Sequence, residues 1–106
     1  MKAQKLISFK TNVYKICSSI PKGKVVTYGQ LARLAGKLKA ARAVGSFMKN
    51  NPDAPLVPCH RVVASDGKLT GYSGVGGITQ KKKMLLKESV CFKNNKVDLS
   101  ISQWIK

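Results

Sequence analysis

Cys59 and His60 stand side by side in "VPCHRVV", and His60 is the only histidine in the chain. A cysteine attacks as its thiolate, so a reactive one needs a neighbour that lowers its pKa or takes its proton. Imidazole does this near neutral pH. Adjacent side chains usually diverge, so contact between these two requires a turn or a bridging water. The imidazole in turn needs an orienting acceptor, and Glu88 is the single glutamate of the sequence. A buried structural thiol is the plainer reading of an isolated Cys-His pair. Cys17 illustrates it, because it falls on the apolar stripe of a helix, while Cys91 lies in a stretch that the pattern does not place. Three widely spaced cysteines form neither a zinc pattern nor an even disulfide set, so neither a metal site nor a cofactor is expected.

The surroundings of that thiol are strongly basic. Twenty Lys and Arg against four acids leave a net charge of +16 on 106 residues. Such a surplus attracts a polyanion, and DNA or RNA is the commonest; an anionic membrane surface or ribosomal RNA fits the composition as well. The length suits one domain over residues 1–106, and 43% apolar residues suffice for a modest core. The start, "MKAQKLISFK", lacks the apolar region of a signal peptide, and no apolar run is long enough to span a membrane. These features predict an intracellular protein, cytoplasmic (nucleoid-associated) or nuclear, in a reducing compartment.

The elements that must hold the thiol follow from periodicity. Phe9, Val13, Ile16, Cys17 and Ile20 fall at helical spacing with Ser8 as N-cap, and "PKGK" ends that helix. In "TYGQLARLAG", Thr27 and Gln30 form a capping box and Gly36 a C-terminal stop. A third helix is predicted from Leu38 to Asn50, with Ala40 or Ala41, Val44, Phe47 and Met48 inward. Lys39, Arg42, Ala43, Ser46, Lys49 and Asn50 face the other way. This pair fits a helix-turn-helix or an ordinary hairpin with a solvated basic face, and the small Ala43 and Ser46 flanking Arg42 favour close approach to DNA. "RVV" and "KLTGY" around "ASDG" predict a β-hairpin. A last helix runs from Ile78 to about Val90, its apolar stripe Ile78, Met84, Leu85 and Val90, its basic face Lys81, Lys82, Lys83 and Lys87. The expected fold is mainly α with a small β hairpin, a winged helix-turn-helix-like single domain with an unplaced tail over 91–106.

Taken together, "VTYGQLARLAG", "KAARAVGSFMKNNP", "VPCHRVV" and "GYSG" resemble the C-terminal domain of the O6-alkylguanine-DNA alkyltransferases. The likeness runs from about Phe9 to Glu88, with several motifs in order. It implies repair of double-stranded DNA carrying O6-alkylguanine by a monomer. The alkyl group would move once, irreversibly, to Cys59 after base flipping. His60 would then remove the thiol proton through a water, Glu88 would orient His60, and Asn51 would hold the active-site turn. Tyr28 would hydrogen-bond the flipped guanine, Arg42 would fill the vacated stack, and Ala43 and Ser46 would face the DNA. Backbone groups of Cys59 and Val62 would read the exocyclic amine, Ser73 would meet O6, and Tyr72 would wall the alkyl pocket.

Three departures qualify the likeness. The sequence starts almost at the active domain, so the N-terminal domain common in the family is expected to be missing; the segment between Tyr72 and Glu88 is two residues longer than in many relatives at "VGGIT", and Ala54 precedes Pro55 ahead of the active-site strand. Alkyltransferase-like proteins are the rival reading: they bind alkylated guanine and flag it for other machinery. They typically replace the cysteine with tryptophan or alanine, so Cys59 speaks against them.

Overall fold

The computed structural model describes residues 2–54, 56–70 and 74–105, with side chains from Phe9 onward. Phe9, Val13, Cys17 and Ile20 are all buried, and their spacing of three or four residues puts them on one stripe. Three of them line helix α1 (Lys2–Ser18), and Ile20 follows its end. The helix begins well before Ser8, which therefore lies inside it and is no N-cap. Nothing between Lys2 and Leu6 breaks a helix, and Ala, Lys, Gln and Leu are strong formers.

After the break, β1 (Val26–Thr27) leads directly into α2 (Tyr28–Leu34). The capping box forms as expected: Thr27 Oγ1 accepts from Gln30 N at 3.0 Å, and Gln30 Oε1 accepts from Thr27 N at 3.4 Å. Gly36 takes φ +100°, which stops the helix. Helix α3 (Ala41–Lys49) starts later than the predicted Leu38, because Lys37 to Ala40 close a turn through Ala40 N and Lys37 O. Val44 and Met48 of α3 pack with Leu31 and Ala32 of α2 and with α1 in one apolar cluster. Phe47 completes this seam, 6.0 Å from Phe9 and 6.3 Å from Tyr14 between ring centres, and Tyr14 donates its hydroxyl to Phe47 O at 3.0 Å. Helices α2 and α3, joined by a short turn, are the pair expected for a helix-turn-helix, and α1 packs against both.

The β structure is arranged differently from the prediction. The Asp66-Gly67 turn is made, with Gly67 N donating to Ala64 O at 2.8 Å and Ala64 N to Lys68 O at 3.0 Å. Its first arm, β2 (Val62–Val63), does not pair with Lys68 to Thr70 in a ladder; it pairs in parallel with β1, Val26 opposite Val62. Val62 and Val63 are both wholly buried, so they need partners on both sides, and β1 supplies one. The antiparallel hairpin of the fold is instead β3 (Phe92–Lys93) with β4 (Lys96–Val97), inside the stretch that periodicity leaves unplaced. Asn94 and Asn95 both adopt positive φ, as a two-residue hairpin loop requires.

Helix α4 (Gly77–Lys87) ends at Glu88 and Ser89, short of Val90. Leu85 and Val90 join Val25, Val63, Leu69 and Val97 in a second cluster. Ile78 is exposed, outside the stripe assigned to it, and Lys81 is buried rather than on the basic face. The tail then closes through α5 (Leu99–Ser102), with Val25 N bonded to Ser102 O at 2.9 Å and Trp104 N to Val25 O at 2.8 Å. Among the described residues no helix is long and apolar enough to cross a membrane.

Gly67 joins turn and tail. Its φ is +88°, its carbonyl accepts from Val97 N at 2.9 Å, and a Cβ there would lie 2.3 Å from Val97 O. Gly67→Ala is expected to cost about 2 kcal/mol or more, from left-handed strain and a backbone clash together. Urea unfolding measures it; a loss under about 0.5 kcal/mol would show that the tail hairpin shifts freely.

Candidate active site

The thiol lies on a single 3-10 turn, Cys59–Arg61, which runs directly into β2 and packs against α4. Asn51 builds its approach. Its Nδ2 donates to Val57 O at 2.8 Å and its Oδ1 accepts from Asp53 N at 3.0 Å. Cys59 N donates to that same Val57 carbonyl at 2.8 Å, and Arg61 N closes the turn on Pro58 O at 2.9 Å. A short side-chain amide just past the end of α3 thus holds the loop that carries Cys59. Asn51 can do this because it is buried and both its amide atoms are used within the loop. Cys59 and His60 are each 2% exposed.

The imidazole and the carboxylate come together across 28 residues: His60 Nε2 lies 3.1 Å from Glu88 Oε2. Glu88 has a second partner that pattern reading did not single out. Arg61 Nε reaches Oε1 at 2.9 Å and Nη2 reaches Oε2 at 2.7 Å, a bidentate pair, while its Nη1 donates to Ile20 O at 2.8 Å. Burial alone would raise the Glu88 carboxyl, but the hydrogen bonds from Arg61 and His60 outweigh it and hold it below the usual carboxylate value. Burial pushes His60 down, and the Glu88 hydrogen bond and charge only partly restore it, so the ring is neutral at pH 7. In that form Nε2–H donates to the carboxylate and the lone pair sits on Nδ1, which makes Nδ1 the basic nitrogen.

Tyr28 is the first residue of α2, and its hydroxyl is hydrogen-bonded to Thr70 Oγ1. Arg42 and Ser46 are exposed on α3, whereas Ala43 is half-buried against the helix cluster. Val62 follows the 3-10 turn and is wholly buried. Tyr72 and Ser73 lie outside the described residues. The arrangement therefore unites Cys59, His60, Glu88 and Asn51 at one turn and leaves Arg42 on a separate, solvent-facing helix. Arg61, Thr70 and Lys81, whose Nζ donates to Val62 O at 2.9 Å and to Thr70 O at 3.2 Å, are the contributors that periodicity missed. Only Arg61 carried a signal, as a cation following the Cys-His pair in a chain with one glutamate. Cys17 is not part of this site: it is wholly buried against Met48, and burial pushes its thiol up to about 12.

A neutral imidazole oriented by an ionised carboxylate, beside a thiol on a rigid turn, can remove the thiol proton and support nucleophilic attack. Among the described residues no group of side chains is disposed to hold a metal ion.

Comparison with known proteins bears on this arrangement. The sequence model described as "6-O-methylguanine DNA methyltransferase, DNA binding domain" matches residues 8–90. The methylated-DNA--protein-cysteine methyltransferase of Rattus norvegicus is 49% identical over 78 residues, 74% of this chain and 37% of that protein. Its counterpart from Methanosarcina acetivorans is 43% identical over 83 residues, 78% of this chain and 52% of that protein. The chain thus spans between about a third and a half of the curated relatives it matches. Among solved structures, S. pombe Atl1 in complex with damaged DNA containing O6-carboxymethylguanine superposes with a TM-score of 0.81 at 35% identity, covering 92% of this chain and 95% of that one. Mycobacterium tuberculosis OGT in complex with DNA gives a TM-score of 0.71 at 46% identity, covering 76% of this chain and 48% of that one. On this evidence the chain belongs to the 6-O-methylguanine DNA methyltransferase family, matching its DNA-binding domain.

Proposed function

We propose that this chain repairs double-stranded DNA by moving the alkyl group of O6-alkylguanine onto Cys59, once per molecule. The observation that carries the reading is the thiol on its 3-10 turn next to a histidine whose ring is held by Glu88. His60 takes the thiol proton, the sulfur attacks the alkyl carbon as its bond to O6 breaks, and the guanine anion recovers a proton as it leaves. Tyr28 supplies a hydroxyl for that departing base. The O6 carbon is hidden inside a duplex, so the nucleotide must rotate out, at a cost of a few kcal/mol in stacking. Arg42, exposed on α3, fills the gap. The net charge of +16 provides phosphate contacts that carry affinity without sequence preference, as a damage scanner requires.

A second reading, lesion binding without transfer, is favoured by the superposition on Atl1 over 92% of this chain and 95% of that one. Intact-protein mass after incubation with a duplex bearing one O6-methylguanine separates the two. Transfer adds one methyl group per chain, on the peptide containing Cys59, and leaves plain guanine; Cys59→Ala still binds the lesion. An unchanged mass with tight lesion binding would establish the second reading, and repeated turnover would sink the first.

Arg42→Ala should slow processing of the lesion in duplex by the order of tenfold or more, through the unmet cost of unstacking, and change single-strand processing little. Equal losses on both substrates would remove the gap-filling role.

The pH dependence follows from the two shifts. The Glu88 carboxyl sits below its ordinary value of 4.5, so its contribution to stability is complete above about pH 4.5 and disappears as pH falls through its lower folded value. The His60 ring sits below 6.5, so its protonation opposes folding as pH drops past 6.5. Glu88→Gln is expected to lose about 2–3 kcal/mol at pH 7, by taking the carboxylate away from Arg61, with the gap from wild type narrowing as pH falls below 4.5 and Glu88 becomes protonated. Chemical unfolding across the acid range reads it, and a gap that does not narrow as pH falls below 4.5 contradicts the assignment. His60→Ala should slow transfer by about 10² while lesion binding stays intact.

A further inference from the structure

A cavity of about 430 Å³ opens between the turn after α1 and helix α4. Lys22 contributes from the turn, and Lys83 and Lys87, about one helical turn apart, contribute from α4. Gln80, Met84 and Glu88 complete the lining. The turn is built for this placement. Lys24 N donates to Pro21 O at 3.1 Å, Gly23 takes φ +84°, and a Cβ on Gly23 would lie 3.1 Å from Glu88 O. Glycine lets the backbone come this close to the end of α4, and it sets Lys22 beside that end.

All three lysines are exposed, and among the described residues none of them makes an ion pair. The carboxylate in the lining does not neutralise them. Both oxygens of Glu88 are taken by Arg61 and His60, and the guanidinium already matches its charge. The dipole of α4 favours a cation at its C-terminal end, which accounts for Lys87. It does not account for Lys22, which comes from another element, or for Lys83 and Lys87 at a spacing where like charges repel. The concavity at the tail hairpin is built differently. There Lys93 and Lys96 stand with Asp66 and Asp98, two charges of each sign, and Lys96 pairs with Asp66 at 3.3 Å. The cavity at α4 has no such balance.

Resting on the reading of double-stranded DNA as the partner, we propose that Lys22, Lys83 and Lys87 form a phosphate site that takes the DNA backbone at a point separate from α3. Ammonium groups bind phosphate as point charges, whatever base is attached. A duplex carries one phosphate charge per about 1.7 Å of its axis, the densest anion that a chain of +16 meets there. Arg42 and Ser46 stand on α3, so the site adds a second anchor, on the helix that packs against the thiol-bearing turn.

The test combines lysine footprinting with salt titration. Brief acetylation is read by peptide mass with and without an undamaged duplex. Lys22, Lys83 and Lys87 should be protected about fivefold or more, and Lys15, Lys68 and Lys93, exposed outside the cavity, by less than about twofold. Lys22→Gln, Lys83→Gln and Lys87→Gln combined should weaken duplex binding roughly tenfold and flatten its salt slope by about two. Lys15→Gln, Lys68→Gln and Lys93→Gln combined remove the same charge and should flatten the slope by less than about one. Equal losses in the two triple variants would mean diffuse charge and overturn the site. Unprotected cavity lysines in a chain that binds the duplex would also overturn it, and this footprint needs no variant to fold. Protection by inorganic phosphate but not by duplex would make the cavity a site for a free anion and overturn the backbone assignment. Neither readout uses the thiol. A chain that protects the three lysines yet transfers no methyl group keeps this site and loses the repair reading, while transfer with those lysines unprotected does the reverse.

Discussion

A single carboxylate, Glu88, is shared among three parts of the molecule. Its two oxygens receive His60 Nε2 and the Nε and Nη2 of Arg61, and Arg61 passes the connection on to the carbonyl of Ile20 beyond the end of α1. The end of α1, the turn bearing Cys59 and the end of α4 therefore meet at one charge. In a chain of +16 with four acids this concentration is unusual, and it explains why the carboxyl is held ionised although burial opposes it. A bidentate guanidinium fixes the carboxylate in direction as well as in charge. The imidazole then finds its acceptor in one place, so its tautomer and its basic nitrogen are set by the fold before any ligand arrives.

A second connection runs through Gln30. Besides completing the capping box, its Nε2 donates to Trp104 O at 2.5 Å and its Oε1 accepts from Gln103 Nε2 at 2.6 Å. The first turn of α2 carries Tyr28, so the tail beyond α5 is fastened to the segment that presents this tyrosine. Val25 extends the fastening, accepting from Trp104 N and donating to Ser102 O. The tail is therefore part of the frame behind the site. In small domains, where core area is limited, such polar ties weigh heavily relative to apolar burial.

Two apolar clusters divide the labour. One joins α1, α2 and α3 and includes Cys59 itself at its edge, while the other joins Val25, Val63 and Leu85 to the tail hairpin. The parallel pair β1–β2 lies between them, with Val26 and Val62 in the first cluster and Val25 and Val63 in the second. Alternating side chains of β2, and of Val25 and Val26 where the chain enters β1, thus serve both, as the period of an extended chain dictates. Cys59 belongs to the first cluster and is almost wholly buried in it.

The local elements were legible because they depend on short-range chemistry. Helix period, the Thr27 and Gln30 box, the Gly36 stop and the Asp66-Gly67 turn are decided within a few residues, and each stands in the structure. The motif around Cys59 and His60 was legible for the same reason, and the lone glutamate pointed to a partner for the ring. What pairs with what was not legible. The Val62-Val63 run could equally open an antiparallel hairpin or join β1 in parallel, since two buried residues carry no alternation to decide between them. The hairpin in the tail hid behind a polar "KNNK" whose asparagines matter only as positive-φ positions. Lys81 was the sharpest failure: on a helix with four lysines, periodicity assigns charge to the surface, and only the packed carbonyls of Val62 and Thr70 draw one ammonium inward. The sequence by itself determined the presence of the helices, the capping box and stop of α2, and the reactive pair, because those are set by neighbours along the chain. Tertiary structure alone decided the register of the strands, the sharing of Glu88 and the burial of Lys81, because contacts across tens of residues leave no periodic trace.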